Sequence, residues 1–233
     1  YLAGSNAATD ALGVPSALLG TNTTWSVEVW AHNAGASAIE TLVAWTSRRA
    51  AANYAMMEVR WGSDANNCVE HYARNLGWGG ALPQFDRWHH IAITRTSAGL
   101  ETLYLNGRIL ATLDMGGAYM LNLQKRSAIF GVGAVDTGAG WDYRFSGGIA
   151  VVRVHGGTLS ADDVMTNFKA DAVRFGGVWK RATRGSWDVA ENWEADRVPL
   201  ANGLIAIDNG GTPLFSSGIV TRSEEHTSEL QSR

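Results

Sequence analysis

Cysteine is all but missing from this chain: Cys68 stands alone among 233 residues, so no internal disulfide can form. That neither requires nor excludes export, since a domain with a sizeable core needs no staple. Proline is scarce at 4, which leaves glycine, with 27 copies, to turn the chain; many glycine turns between short strands favour an all-β fold. No apolar run approaches the roughly 20 residues that cross a bilayer, so membrane insertion is not expected. Excess positive charge is missing too. The 19 Lys and Arg are outnumbered by 22 Asp and Glu, for a net charge of −3, which argues against nucleic acid as a partner. There is no signal peptide. The chain opens at Tyr1 without Met, which reads as an interior position of a larger multidomain protein. No Gly-x-Ser-x-Gly elbow, His-Glu-x-x-His helix or P-loop occurs, and Gly131-x-Gly133 lacks the third glycine and the helix of a nucleotide loop.

What is present centres on Asp86 to Thr112, DRWHHIAITRTSAGLETLYLNGRILAT. Trp88 to Thr96 is rich in β-branched and aromatic residues, and a polar Ser-Ala-Gly break follows it. Glu101 to Leu105 and Arg108 to Thr112 are separated only by Asn106-Gly107, a pair suited to the two positive φ angles of a type I′ turn. The stretch therefore predicts an antiparallel meander. Trp25 to Ala31 alternates strictly, with Ser26, Glu28 and Trp30 on one face and Val27 and Val29 on the other. Thr41 to Thr46, Tyr54 to Trp61 and Cys68 to Tyr72 continue the strand series, and Ala128 to Val132 and Tyr143 to His155 close it. Ser160 reads as the N-cap of a short helix to about Lys169, with Asp162 and Asp163 in its first turn.

Trp88-His89-His90-Ile91-Ala92, followed by Leu103-Tyr104-Leu105-Asn106-Gly107 and by Phe145 with Gly147 to Val154, resembles the laminin-G-like domains of the concanavalin-A-like superfamily. The resemblance implies an antiparallel β-sandwich of jelly-roll type over residues 1–175, with Trp30 in the core and one short helix after the last strand. It departs at Ala150, where the family commonly places an Asp. Glycosidases on this fold carry Glu-x-Asp-x-x-Glu on one strand; this chain has no such run, so a non-enzymatic role is expected.

From Gly176 the composition shifts, with Trp179, Trp187 and Trp193 followed by Val198-Pro199. Residues 176–221 resemble the opening of a β-solenoid-type repeat from large bacterial surface proteins, or else form a Trp-rich β extension packed on the sandwich. Residues 222–233 resemble a translated sequencing adapter; they are expected to be disordered and without function, the chain being read as a metagenomic fragment.

His89 and His90 are neighbours on a strand and point to opposite faces, so they cannot chelate one ion together. Many relatives hold one Ca²⁺ with loop oxygens, which makes Asp64, Asp136 and Asp142 candidate ligands, with Asn66 and Asn67 beside them. The glycine-rich loops RNLGWGG (74–80) and DTGAGWDY (136–143) each carry a tryptophan. They suggest a ligand surface of Trp78, Trp141, Tyr143, Asp142, Arg74 and His71, with both loop tryptophans more exposed than Trp30 and Trp88. The resulting expectation is a monomeric, extracellular, bacterial binding or adhesion module that recognises a glycan or a cell-surface protein. An accessory carbohydrate-binding module of a hydrolase, or a spacer without ligand, are the alternatives.

Overall fold

The computed structural model describes residues 2–3, 8–10, 24–36, 38–45, 57–71, 74–116, 130–137, 139–193, 198–199, 204–207 and 210–214. Two six-stranded antiparallel sheets face each other. The first, sheet A, runs β1 (Leu2–Ala3), β14 (Gly148–His155), β3 (Trp25–Asn33), β8 (Arg87–Arg95), β9 (Leu100–Leu105), β10 (Arg108–Asp114). The second, sheet B, runs β2 (Ala8–Asp10), β11 (Phe130–Val132), β4 (Thr41–Trp45), β5 (Met57–Arg60), β6 (Val69–Glu70), β7 (Asn75–Leu76). A jelly-roll β-sandwich is thus observed.

Strand alternation divides the side chains. Val27 and Val29 of β3 register with Ile93 and Ile91 of β8, and all four point between the sheets to meet Val43, Trp45, Met57 and Val59 of sheet B. Burying each aliphatic side chain stabilises the fold by about 1.5–3 kcal/mol. The opposite face of β3 carries Ser26, Glu28 and Trp30. Trp30 is indeed buried, but in a second core with Phe168 and Ala172 rather than between the sheets. That core lies under α1 (Ala161–Phe175), whose N-terminus is fixed by a reciprocal capping box between Ser160 and Asp163. The helix runs six residues past the expected Lys169 because Ala172 and Phe175 extend the apolar stripe that begins at Val164 and Phe168.

The histidine pair divides as strand geometry requires. His89 points inward, edge-on to Trp61 with ring centroids 5.5 Å apart, and His90 faces outward beneath α1 against Trp30 and Phe168. Asn106 (φ 55°) and Gly107 (φ 79°) make the expected left-handed turn. The Asn106 carboxamide also donates to His89 Nδ1 (3.1 Å) and accepts from the His90 backbone N–H (3.0 Å), tying the hairpin to the neighbouring strand. Ala150 packs in the second core beneath the helix.

Past α1 the chain enters β15 (Gly176–Val178) without an intervening residue, and Val178 packs with Trp30 and Phe168. β16 (Arg184–Ser186) and a 3₁₀ turn (Ala190–Asn192) follow, then β17 (Leu204–Ala206) and β18 (Thr212–Leu214). β15 pairs with β17 and β16 with β18, both in parallel, and both ladders join residues 28 apart. Trp193 sits edge-on to Trp179 and Trp187 and donates its Nε1–H to the Trp187 carbonyl (2.8 Å). Residues 222–233 lie outside the described residues.

Candidate binding site at the loop end

Four loops gather where β3, β5, β7 and β11 end and β4, β6, β8 and β14 begin. Phe85 projects from the loop before β8 and is 37 % exposed, while its ring lies nearly parallel (6°) to that of fully buried Trp61, centroids 6.4 Å apart. Trp61 is in turn braced by His89 and Phe145. The arrangement presents one aromatic face to solvent and fixes it from behind.

Beside it lies a knot of polar side chains. The Glu40 carboxylate, 5 % exposed, accepts from Asn33 Nδ2 (3.0 Å), Ser146 N (3.1 Å) and Ser146 Oγ (3.0 Å). The Asp86 backbone N–H donates to the Asn33 carbonyl (2.8 Å), and the Trp61 N–H to the Glu40 carbonyl (3.0 Å), so ring and knot form one unit. Among the described residues, the side chains that hydrogen-bond Glu40 are the neutral Asn33 and Ser146. Close packing explains a sequence feature: a Cβ on Gly62 would sit 2.6 Å from the Glu40 nitrogen, and one on Gly147 2.0 Å from the His32 carbonyl.

The backbone is strained at the same place. Three described non-glycine residues have positive φ: Asn106 in its turn, Asp86 (φ 60°) and Tyr143 (φ 49°). Aspartate tolerates this conformation, but a tyrosine in it is a true outlier, and such strain gathers at functional sites. Tyr143 is held by its carbonyl, which accepts from Thr41 N (2.8 Å), and by its N–H, which donates to Asp142 Oδ1 (2.8 Å).

Several predicted site residues are placed otherwise than expected. Trp78 is 2 % exposed and belongs to the core between the sheets, so it cannot be a stacking platform. Its backbone N–H donates to the Ala65 carbonyl (2.9 Å), and its ring packs in the same core as Leu76. The expectation that both loop tryptophans exceed Trp88 in exposure is corrected, because Trp88 is itself half-buried. His71 is fully buried at the far end, where its Nε2–H donates to Glu101 Oε2 (2.9 Å) and Arg95 donates to Glu101 Oε1 (2.7 Å). It is a structural hydrogen-bond partner of Glu101, apart from the loop end. Arg74 is exposed just before β7.

Trp141, Asp142 and Tyr143 do sit together. β12 (Val135–Asp136) and β13 (Trp141–Asp142) form a small hairpin, and half-buried Trp141 lies over Gly131 on the outer face of sheet B. Only glycine fits there, since a Cβ would meet the indole at 2.5 Å. The three carboxylates considered for Ca²⁺ are not assembled; among the described residues no group of three His, Cys, Asp or Glu could hold an ion. Asp64 is engaged locally, accepting from Asn66 N (2.9 Å) and from Asn67 Nδ2, an Asx turn that explains its presence. Phe85, Glu40, Asn33 and Ser146 escaped sequence reading: Glu40 and Ser146 are 106 residues apart, and only the positive-φ-tolerant Asp86 beside Phe85 hinted at a special loop.

A family model described as "Concanavalin A-like lectin/glucanases superfamily" (Laminin_G_3) matches residues 6–165. Among solved structures, the CBM40 of the Ruminococcus gnavus IT-sialidase, bound to α2,3-sialyllactose, superposes with a TM-score of 0.56 at 15 % identity. The match covers 72 % of this chain and 94 % of that one. The NanB sialidase from Streptococcus pneumoniae gives a TM-score of 0.53 at 14 % identity, over 71 % of this chain and 27 % of that one. No curated protein matches the chain.

Proposed function

Because the chain belongs to the concanavalin A-like lectin/glucanase superfamily, we propose that its sandwich is a non-catalytic glycan-binding module of an exported protein, with the loop end as its binding site. The observation that carries this reading is Phe85, an exposed ring pre-stacked on buried Trp61 beside the Glu40–Asn33–Ser146 knot. Sugars offer apolar ring faces and hydroxyl edges, and the site offers an aromatic face and fixed acceptors side by side. Tyr143 and Asp142 flank it, held by strained backbone. The carbohydrate-binding role of the sialidase modules is consistent with this, though their likeness carries only the fold. The test is a glycan array probed with wild type and with Phe85→Ala of confirmed fold. Retention of glycan by wild type and its loss in the variant is expected; equal binding by both would remove the site from this end. The equal 28-residue offsets of the two parallel ladders favour reading residues 176–221 as the first coil of a solenoid rather than an irregular extension.

A further inference from the structure

The charge of the loop end narrows the class of glycan. The loops that build it carry five carboxylates: Glu40, Asp64, Asp86, Asp136 and Asp142. Against them stand two cations, Arg87 and Arg144. Glu40, nearly buried, is answered among the described residues by neutral donors. Asp86 directly follows the exposed Phe85 ring, and Asp142 precedes Tyr143; both are exposed. Arg60, at the end of β5, is already paired with Glu58 (2.9 Å) and Glu70. A carboxylate accepts hydrogen bonds and cannot donate them. The partner it suits is a hydroxyl, whereas a second carboxylate or a sulfate gains no hydrogen bond and meets like charge, a repulsion that salt screens over about 8–10 Å.

We infer that the loop end selects neutral glycans and rejects sialylated, uronic-acid and sulfated ones. The inference rests on the glycan-binding reading above and adds the substrate class to it. It would set the ligand of this chain apart from that of the CBM40 bound to sialyllactose, with which it shares the sandwich. Discrimination here is electrostatic repulsion, so it has a salt signature that a merely steric preference lacks.

The experiment uses an array on which each neutral oligosaccharide is printed beside its sialylated and sulfated counterparts, lactose beside α2,3-sialyllactose being one such pair. The full chain is applied at low and at high salt. Neutral members are expected to be retained about tenfold more strongly than their anionic counterparts near 0.05 M salt, with the gap narrowing near 0.5 M as screening grows. In the Asp86→Asn, Asp142→Asn double variant the ratio of anionic to neutral binding should move towards one at low salt, whatever the change in neutral binding itself. Anionic members bound as well as or better than neutral ones would overturn the inference and leave the glycan reading standing. A gap insensitive to both salt and the double variant would overturn it too, by assigning the preference to shape. Binding to no member at all would sink the glycan reading itself, and this inference with it.

Discussion

The two ends of the sandwich handle buried carboxylates in opposite ways. At the far end Glu101, fully buried, is closed by the Arg95 guanidinium at 2.7 Å and a hydrogen bond from His71 at 2.9 Å. At the loop end Glu40 is held by an amide and a serine, with an exposed aromatic and two left-handed non-glycine residues around it. A desolvated charge costs several kcal/mol unless it is paired, and the far end meets that cost by pairing Glu101 with the Arg95 guanidinium. The loop end answers its carboxylate with neutral hydrogen-bond donors instead and carries backbone strain beside a solvent-facing ring. One end is built for closure, the other for contact.

The largest effect should come from breaking the seal. Glu101→Ala leaves Arg95 buried without its carboxylate, and we expect a loss of about 3–5 kcal/mol in urea unfolding. A midpoint that does not move would contradict the closed-end assignment.

Acid should weaken the fold in two stages. Burial holds His89 to a pKa of about 4 despite its hydrogen bonds to Gln84 and Asn106. Between its ordinary 6.5 and 4 the unfolded chain binds a proton that the native state refuses, so stability is full above pH 6.5 and falls towards pH 4, by up to about 3 kcal/mol. Below that window the carboxylates take over. Burial works to raise Glu28 and Glu101, yet the hydrogen bonds and charges of their histidine and arginine partners outweigh it and leave both lowered. Their contribution is present above the usual 4.5 and is lost as pH falls through the lowered values. A His89→Gln variant should flatten the first stage in pH-dependent melting; an unchanged slope would assign it to another group.

Phe85→Ala sharpens the contrast from the other side. It should change stability by less than about 1 kcal/mol, as surface changes do, while abolishing glycan retention. A large stability loss would make Phe85 a core residue. The smallest effect belongs to the tail: removing Arg222 to Arg233 should leave the melting temperature within error, and a fall of several degrees would show that those residues pack.

The ends also differ in how far they could be read from the sequence. Local signals were legible: Asn106-Gly107, the alternation from Trp25 to Ala31, and the Ser160 cap each act within a few residues. Trp78 was not, because a tryptophan among glycines looks solvent-facing until its ring is known to pack in the same core as Leu76. Phe85 was passed over for the converse reason. Its exposure depends on Trp61, 24 positions earlier, filling the space behind it. The helix end was missed for want of a tertiary partner, since Phe175 extends the helix only by packing on Trp30 and Trp88. Asp142 and Tyr143 were singled out because a glycine-rich loop carrying a tryptophan is a local feature, although their link to Thr41 is not.

The parallel ladders after α1 bear on reach. Each returns 28 residues later to lie beside its own start, so the chain advances by one strand spacing, about 4.8 Å, where the same length extended would span about 95 Å. Joined to the helix without a spacer and anchored by Val178 under Trp30, this segment trades length for thickness. It packs on the helix-covered face as a buttress and not as a tether.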